Sequence, residues 1–489
     1  MYVISETYQY SGIKTISVKL DHHRIMGFGE MKEWVIGKIN LTNYKRNKKF
    51  GFNPFCKRLR YNFMKDLGAP ALMGISKVGK KRRPIKPDPH FGPPLKCTSR
   101  LKEIMTRHYL LSRYAEGAKP VAWVTSGAPV EVLRPFGFYT VYPENHGALC
   151  GAKKMGPELC AVAEEHGYHQ DLCSYARIDL GHYFSGKTPV GKLPKPDLLF
   201  ASNNICQTVA YWYKALSHYL KVPLILFDTP YNFREITDSD ISYMVRQFEE
   251  MIPVLEQVSG RQFNYRKLQE YVSVAKDASI TWGAVLATMK ARPAPMIIFD
   301  AFGHMVPIVS LRGLPLALEY YRTLLAELGE RVARGVGAIK NEQKRLMWDN
   351  IAIWYKMRDH SSLFAGQGMN FVTATYTNAW AETTPYMDKN RPFESMARAY
   401  SLVILNNNLN SRLELMERLI KEYQVDGLVI HSARSCKPYS VGQYDLKRLL
   451  MERLEVPSVI IEADITDSRA YSEEQTRTRL EAFFEAMEG

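Results

Sequence analysis

The sequence predicts an α/β protein: linked Rossmann-like or flavodoxin-like units with parallel sheets, gathered around a cysteine site, with further helical segments. Two observations carry this. From Pro196 to Asp228 the chain reads as strand, loop, helix and strand. Asp197 to Ala201 is mostly apolar, Ser202 to Asn204 is loop chemistry, Cys206 follows, Thr208 to Leu220 has helical spacing, and Val222 to Phe227 is apolar again. The same grammar returns as Gly427 to Ile430, His431 to Ser435, Cys436, Val441 to Leu454 and Val456 to Ile461. Cys206 precedes Pro223 by 17 residues and Cys436 precedes Pro457 by 21, as expected for two copies of one βαβ device.

Each copy places a cysteine between a strand's carboxyl end and a helix's amino end. Crossovers in parallel sheets leave ligand crevices there. A helix amino end offers unpaired N–H groups and a partial positive charge, which favour thiolate over thiol. Two converging thiolates form a ligand set for a metal, whereas a free cysteine of the packing kind would simply be buried.

The chain has 489 residues, room for two to four domains, and at 46% hydrophobic and 24% charged it has the composition of a soluble globular protein. No apolar run reaches the roughly 18 to 20 residues of a membrane span, and Met1 to Tyr10 lacks a signal peptide's pattern, so a cytoplasmic location is expected. The seven cysteines are scattered, with no CxxC pair, which argues for reduced thiols or metal ligands over disulfides. The net charge of +15 is uneven. Residues 1–95 hold 19 Lys and Arg against 6 Asp and Glu, a net of +13, and the remainder carries only +2.

Residues 1–95 read as a basic, weakly structured and dispensable extension, with clusters at Lys45 to Lys49 and Lys80 to Arg83 and a proline-rich exit. No recognition module accompanies this charge, so a solvated arm is favoured over nucleic-acid binding. Residues 96–235 form the first expected α/β domain. Leu101, Ile104, His108 and Leu111 share a helix face, Pro120 to Val124 is a strand ending at Thr125-Ser126-Gly127, and Val130 to Leu133 opens a helix. Phe138 to Val141 is a strand running into Tyr142 to His146. Ser126 and Glu144 thus both follow strand ends, where chemistry collects, although Ser126 also suits a helix cap and Glu144 a solvated loop.

Glu158 to Leu180 is helical in two pieces, with Cys173 early in the second. Three cysteines near helix starts, Cys173, Cys206 and Cys436, match an iron–sulfur cluster with one open iron. Zinc with His146 or His431 as fourth ligand fits the same spacing. Residues 236–340 are mainly helical, and 341–489 form a second α/β domain in which Leu346 to Thr377 reads as two strands flanking a helix. There is neither a GxxxxGK[ST] loop nor a GxGxxG turn, so ATP hydrolysis and ordinary dinucleotide binding are not expected.

Four motifs then stand in order: Val141-Tyr142-Pro143-Glu144-Asn145-His146, Asp171-Leu172-Cys173-Ser174-Tyr175-Ala176-Arg177, Asn203-Asn204-Ile205-Cys206 and Arg434-Ser435-Cys436-Lys437-Pro438. With Asp464 to Ser472 (D-x-x-D-x-R-x-Y-S), they resemble the 2-hydroxyacyl-CoA dehydratase and benzoyl-CoA reductase family, from about residue 100 onward. The resemblance implies that Cys173, Cys206 and Cys436 bind one [4Fe-4S] cluster whose open iron faces an acyl-CoA thioester. It also implies a homologous second cluster-bearing subunit and a separate ATP-dependent iron–sulfur activator that delivers one electron.

In such enzymes the added electron makes a ketyl radical anion, which expels the neighbouring hydroxyl and makes the β-hydrogen acidic enough to lose. At Ser126 and Glu144, as at the cysteines, the chain resembles the dehydratase α-type subunit, which assigns Glu144 to proton handling or leaving-hydroxyl stabilisation and Ser126 to a hydrogen bond near the substrate. Asn406 to Asn410 and Gly427 resemble the ring-reducing enzymes instead. Dehydration is therefore the first expectation, aromatic-ring reduction the second, and a non-catalytic electron-relay subunit the third.

Overall fold

Two four-stranded parallel sheets frame the described residues, 52–78 and 88–488, of the computed structural model. The first holds β1 (Val121–Val124), β2 (Tyr139–Val141), β3 (Leu198–Ser202) and β4 (Leu224–Phe227) in the order β2-β1-β3-β4. The second holds β5 (Lys344–Asp349), β6 (Met369–Ala374), β7 (Gly427–Ala433) and β8 (Ser458–Ala463) in the order β6-β5-β7-β8. The α/β class is as the sequence predicts. β1 and β3 are buried along their whole length, which is why their sequences, VAWV and LLFAS, run apolar without alternation.

The repeat is larger than the βαβ device read from the sequence, because both sheets share one strand order. In each, the chain steps from the first strand to a neighbour on one side, then returns past it to the third. The direction therefore reverses between β1 and β3, and again between β5 and β7. Strand order reversing in this way opens a crevice beyond the carboxyl ends of the two central strands. Ser126 and Cys206 follow β1 and β3, and Asn350 and Cys436 follow β5 and β7.

The helical segment consists chiefly of Asp238–Ser259, Tyr265–Ala287 and Pro315–Ala333. Thr237 and Asp240 close a reciprocal capping box on the first of these, and Asn264 caps the second. The predicted strand–helix–strand unit after Leu346 is present as β5, the helix Met357–Gly366 and β6. Among the described residues no helix is long and apolar enough to cross a membrane.

Three expectations differ from the structure. Glu144 lies in the first turn of a helix, Pro143–Ala152, and not in a loop. Proline at the first helical position needs no N–H partner, so it starts the helix directly after β2. Val130–Leu133 is a single 3-10 turn. The extension, finally, is not weakly structured between residues 52 and 78, which form the helices Phe52–Phe63 and Ala69–Val78.

Tyr61, Met64 and Ala69 from this segment are buried in a cluster with Leu111, Ala115 and Val121. Further on, Arg331 donates to the Pro93 carbonyl at 2.7 Å and the Gly92 N–H donates to Ala338. Apolar side chains three and then five residues apart supply a buried face while the basic residues stay in water, so net charge concealed the helices. The basic clusters at 45–49 and 80–83 lie outside the described residues.

Candidate functional site

Cys173, Cys206 and Cys436 each occupy the residue just before a helical turn: Ser174–Ser185, Gln207–Leu220 and the short Lys437–Ser440. All three are half-buried at the edge of one apolar cluster. Backbone N–H groups of Ala176, Val209 and Tyr439 donate to their respective sulfurs. Burial nevertheless dominates. It raises Cys206 to about 11 and Cys436 to about 12, and the charge of Cys206 adds to the rise at Cys436. Cys173 is raised well above its ordinary value, first by burial and then by the charges of Cys436 and Cys206. The expected bias toward thiolate is therefore overturned for the thiols by themselves, because desolvation outweighs the helix N–H groups. The three sulfurs sit close enough to repel one another as anions.

The other described cysteines are placed differently. Cys150 and Cys160 are fully buried and pack with Leu159 and Ile178, Cys97 is buried and donates toward Glu327, and Cys56 lies on the helix 52–63. Of the histidines weighed as a fourth ligand, His146 meets Thr188 at 2.8 Å and Cys150 at 3.5 Å, and His431 places Nδ1 2.7 Å from the Ile351 carbonyl. Among the described residues no three His, Cys, Asp or Glu side chains are arranged to hold a single ion.

Ser126 and Glu144 meet directly. The Ser126 N–H donates to Glu144 Oε2 at 2.7 Å and its hydroxyl donates to Oε1 at 3.0 Å. Burial raises the carboxyl to about 7, against these two hydrogen bonds and the Arg312 guanidinium, which pull it down. Cys206, Tyr376 and Tyr213 are raised first by burial and then by the charge of Glu144, so all three lie within its electrostatic reach. The second sheet repeats the link with a hydroxyl in place of the carboxylate: the Asn350 N–H donates to Thr375 Oγ1 at 3.1 Å, and Thr375 donates in turn to Asp349 at 2.8 Å, linking the ends of β5 and β6 as Ser126 and Glu144 link those of β1 and β2.

Buried charges that no sequence motif announced hold this arrangement. Arg312 is fully buried, faces Glu131 at 3.3 Å, and donates to the Ala128 and Ser126 carbonyls at 2.8 and 3.3 Å. It thereby fixes the loop that carries Ser126. Asn204 donates to the carbonyls of Gly127 and Tyr400, both at 2.9 Å, and ties that loop to the one bearing Cys206.

A second network joins the Cys173 loop to the Cys436 loop. The Ser174 N–H donates to Ser435 Oγ at 3.1 Å, and Ser435 donates to Asp464. Arg177 reaches Glu164 at 2.7 Å, Asp467 at 3.0 Å and Asp464 at 3.8 Å, and also donates to the Leu172 carbonyl. The Cys173 and Cys436 loops, one from each α/β half, are thus held in one register. The helix carrying Arg177 packs backbone to backbone on Gly156–Glu165, since a Cβ on Gly181 would lie 2.0 Å from the Leu159 carbonyl oxygen. Gly181→Ala should therefore destabilise the fold by about 1–3 kcal/mol, the usual cost of overpacking, read as a lower urea midpoint at unchanged slope.

Cys206 lines an open cleft of about 880 Å³ together with Asp228, Asn406, Arg412, Lys437 and Pro438. Tyr231 and Val441 line it too and are more than half exposed. Ser126 and Glu144 are not among its lining residues. Of the three cysteines, Cys206 alone is among them.

The family described as 2-hydroxyglutaryl-CoA dehydratase, D-component, matches residues 125–487. The chain belongs to this family. Among its relatives, the (R)-2-hydroxyisocaproyl-CoA dehydratase alpha subunit of Clostridioides difficile is 35% identical over 76% of this chain and 91% of its own length. The (R)-phenyllactyl-CoA dehydratase alpha subunit of Clostridium sporogenes is 32% identical over 79% and 97%. One of the subunits of benzoyl-CoA reductase from Thauera aromatica is also 32% identical, over 79% and 93%. The family match begins at Thr125, beyond the helices at 52–78.

Proposed function

We propose that this chain is the cluster-bearing α-type subunit of a 2-hydroxyacyl-CoA dehydratase, acting with a homologous second subunit and an ATP-dependent iron–sulfur activator. The observation that supports the reading is that three thiols lie within electrostatic reach of one another, and that a buried carboxyl poised near neutrality reaches one of them, Cys206. The donor set fits a [4Fe-4S] cluster. Three mutually repelling, desolvated thiols with N–H donors aimed at their sulfurs favour a polynuclear cation that takes their protons' place, and three ligands leave one iron open. Cys173, Cys206 and Cys436 would hold it. When bound, the cluster supplies Lewis acidity at the thioester carbonyl and a path for one electron.

The chain's own residues do the rest. A neutral Glu144 can donate its proton to the departing hydroxyl, which leaves as water and not as hydroxide. Negative charge arriving on the substrate raises the carboxyl further and keeps that proton available. Ser126, with N–H and hydroxyl both on Glu144, aims the carboxyl and can turn its hydroxyl to the substrate. Tyr376 and Tyr213, raised first by burial and then by the charge of Glu144, stay protonated and help exclude water.

The test is anaerobic purification with the partner subunit and activator, followed by assay of 2-hydroxyacyl-CoA and benzoyl-CoA. Dehydration, with iron lost in Cys173→Ala, Cys206→Ala and Cys436→Ala but kept in Cys150→Ala, supports the proposal. Iron retained in any of the first three removes that ligand. The 32% identity to a benzoyl-CoA reductase chain makes ring reduction the second reading, and conversion of benzoyl-CoA alone would establish it.

A further inference from the structure

A second cavity, about 620 Å³, lies where the helices at 52–78 meet the body of the protein. Tyr61, Lys65 and Met73 form its outer wall, and none of these falls within the family match. Lys65, Arg100, Arg107, Lys119 and Arg134 line it against a single carboxylate, Glu103. The cations crowd one another. Burial lowers the Lys119 ammonium, and the charges of Arg261 and Lys65 lower it further. Aromatic surface stands beside this charge: His108 stacks on Tyr139 at 5.3 Å, Tyr61 meets Tyr139 edge-on at 6.4 Å, and Lys119 lies over the Tyr61 ring at 5.2 Å. The Arg107 guanidinium donates to the Lys65 carbonyl at 2.9 Å, which fixes it against the extension.

We propose that this cavity binds a nucleotide-type organic phosphate, its phosphates on Arg107, Lys119 and Lys65 and its base on the apolar lining beside Tyr139. Asp66 pairs with Lys65 at 3.3 Å and Glu103 with Arg100 at 3.4 Å, which leaves three cations in excess of carboxylate; that excess suits a polyanion better than a single carboxylate, and guanidinium and ammonium groups together are the usual partners of phosphate. The volume exceeds what inorganic phosphate needs and lies within the range of small-ligand sites, roughly 300–1,000 Å³. The cavity borders the candidate site through Ser310, which accepts from Asn145 at 2.7 Å, one residue from Glu144. Two sources share this chemistry: a free nucleotide, or, resting on the proposed dehydratase function, the phosphoadenosine end of a CoA ester.

Isothermal titration of the full chain with ADP, 3′-phosphoadenosine 5′-phosphate, CoA and inorganic phosphate tests the proposal without iron or turnover. Saturable binding of a phosphoadenosine probe is expected, weakened about tenfold or more in Arg107→Ala and in Lys119→Ala and reduced by salt. ADP binding as tightly as the 3′-phosphorylated probes identifies a free nucleotide as the source, and preference for CoA and the 3′-phosphate identifies the ester. Lys65→Ala, on an exposed side chain, gives the same readout if either other variant fails to fold. The proposal is overturned by no saturable binding of any probe, by inorganic phosphate binding as tightly as the nucleotides, or by affinities unchanged in the folded variants.

Discussion

Glu144→Gln should lower turnover by about 10²- to 10⁴-fold, the range of a lost general acid or base, while iron content and the cluster spectrum stay as in the parent. Gln keeps the size of the side chain and can still accept from the Ser126 N–H, so the loop has no reason to move. It has no proton to give. The parent carboxyl, raised to about 7, should impose an alkaline limb on kcat/KM, with the rate falling as pH rises through about 7 and the neutral acid is lost. That limb should vanish in the variant. An acidic limb at the same pH, with the rate rising as the carboxyl ionises, would make Glu144 a base for the β-proton instead. A variant turning over at the parent rate would reduce Glu144 to a structural residue of the helix after β2.

The same substitution should move stability in the opposite direction. The folded carboxyl titrates at about 7 and the unfolded one at about 4.3, so the contribution of this group is fully present below the lower value and lost as pH rises through the upper. At pH 8 the charged, buried Glu144 weakens the parent. Glu144→Gln should therefore unfold at higher urea than the parent at pH 8, with the advantage shrinking toward pH 5.

What the sequence discloses here is local, and what it conceals is long-range. Apolar runs broken by loop residues placed β3, β7 and the cysteines after them, because a strand buried on both faces has no alternative composition. Val-Pro entries at residues 222 and 456 exposed the repeat, but not its full four-strand extent. β1 and β5 are followed by unlike residues, Ser126 and Asn350, whose equivalence is a matter of hydrogen bonding. Arg312 and Glu131 gave no signal, since a buried ion pair reads in sequence as two ordinary surface charges separated by 181 positions. The extension misled for the converse reason. Its helices bury only a few side chains, and the basic residues between them dominate any window average.

Arg177→Met should cost about 3–5 kcal/mol, the effect of removing one partner from a buried ion network and leaving the others charged. Arg177 is 2% exposed and faces three carboxylates, two of them also buried. Burial alone would raise the Asp467 carboxyl, but hydrogen bonds from Arg469 and the charges of Arg177 and Arg469 outweigh it, and the net shift is downward. Glu164 is lowered chiefly by its hydrogen bond from Arg469, with Arg177 contributing. Lowered carboxylates stabilise the parent above their unfolded values of about 3.9 and 4.3, and this contribution is lost as pH falls through the folded values. Without Arg177, Asp467 keeps its bonds from Arg469 but loses part of the positive charge that lowers it, so its folded carboxyl titrates closer to the unfolded value. The deficit of the variant, read as the difference in urea midpoint from the parent, should therefore be largest near pH 7 and shrink toward pH 4. Because Asp464 holds Ser435, and Ser435 holds the Ser174 N–H beside Cys173, loosening this network should also displace one sulfur relative to the other two. Arg177→Met should then lose iron to a chelator faster than Gly181→Ala adjusted by temperature to equal stability. Equal iron loss at equal stability would show that the network supports only the fold, and not the register of Cys173 with Cys436.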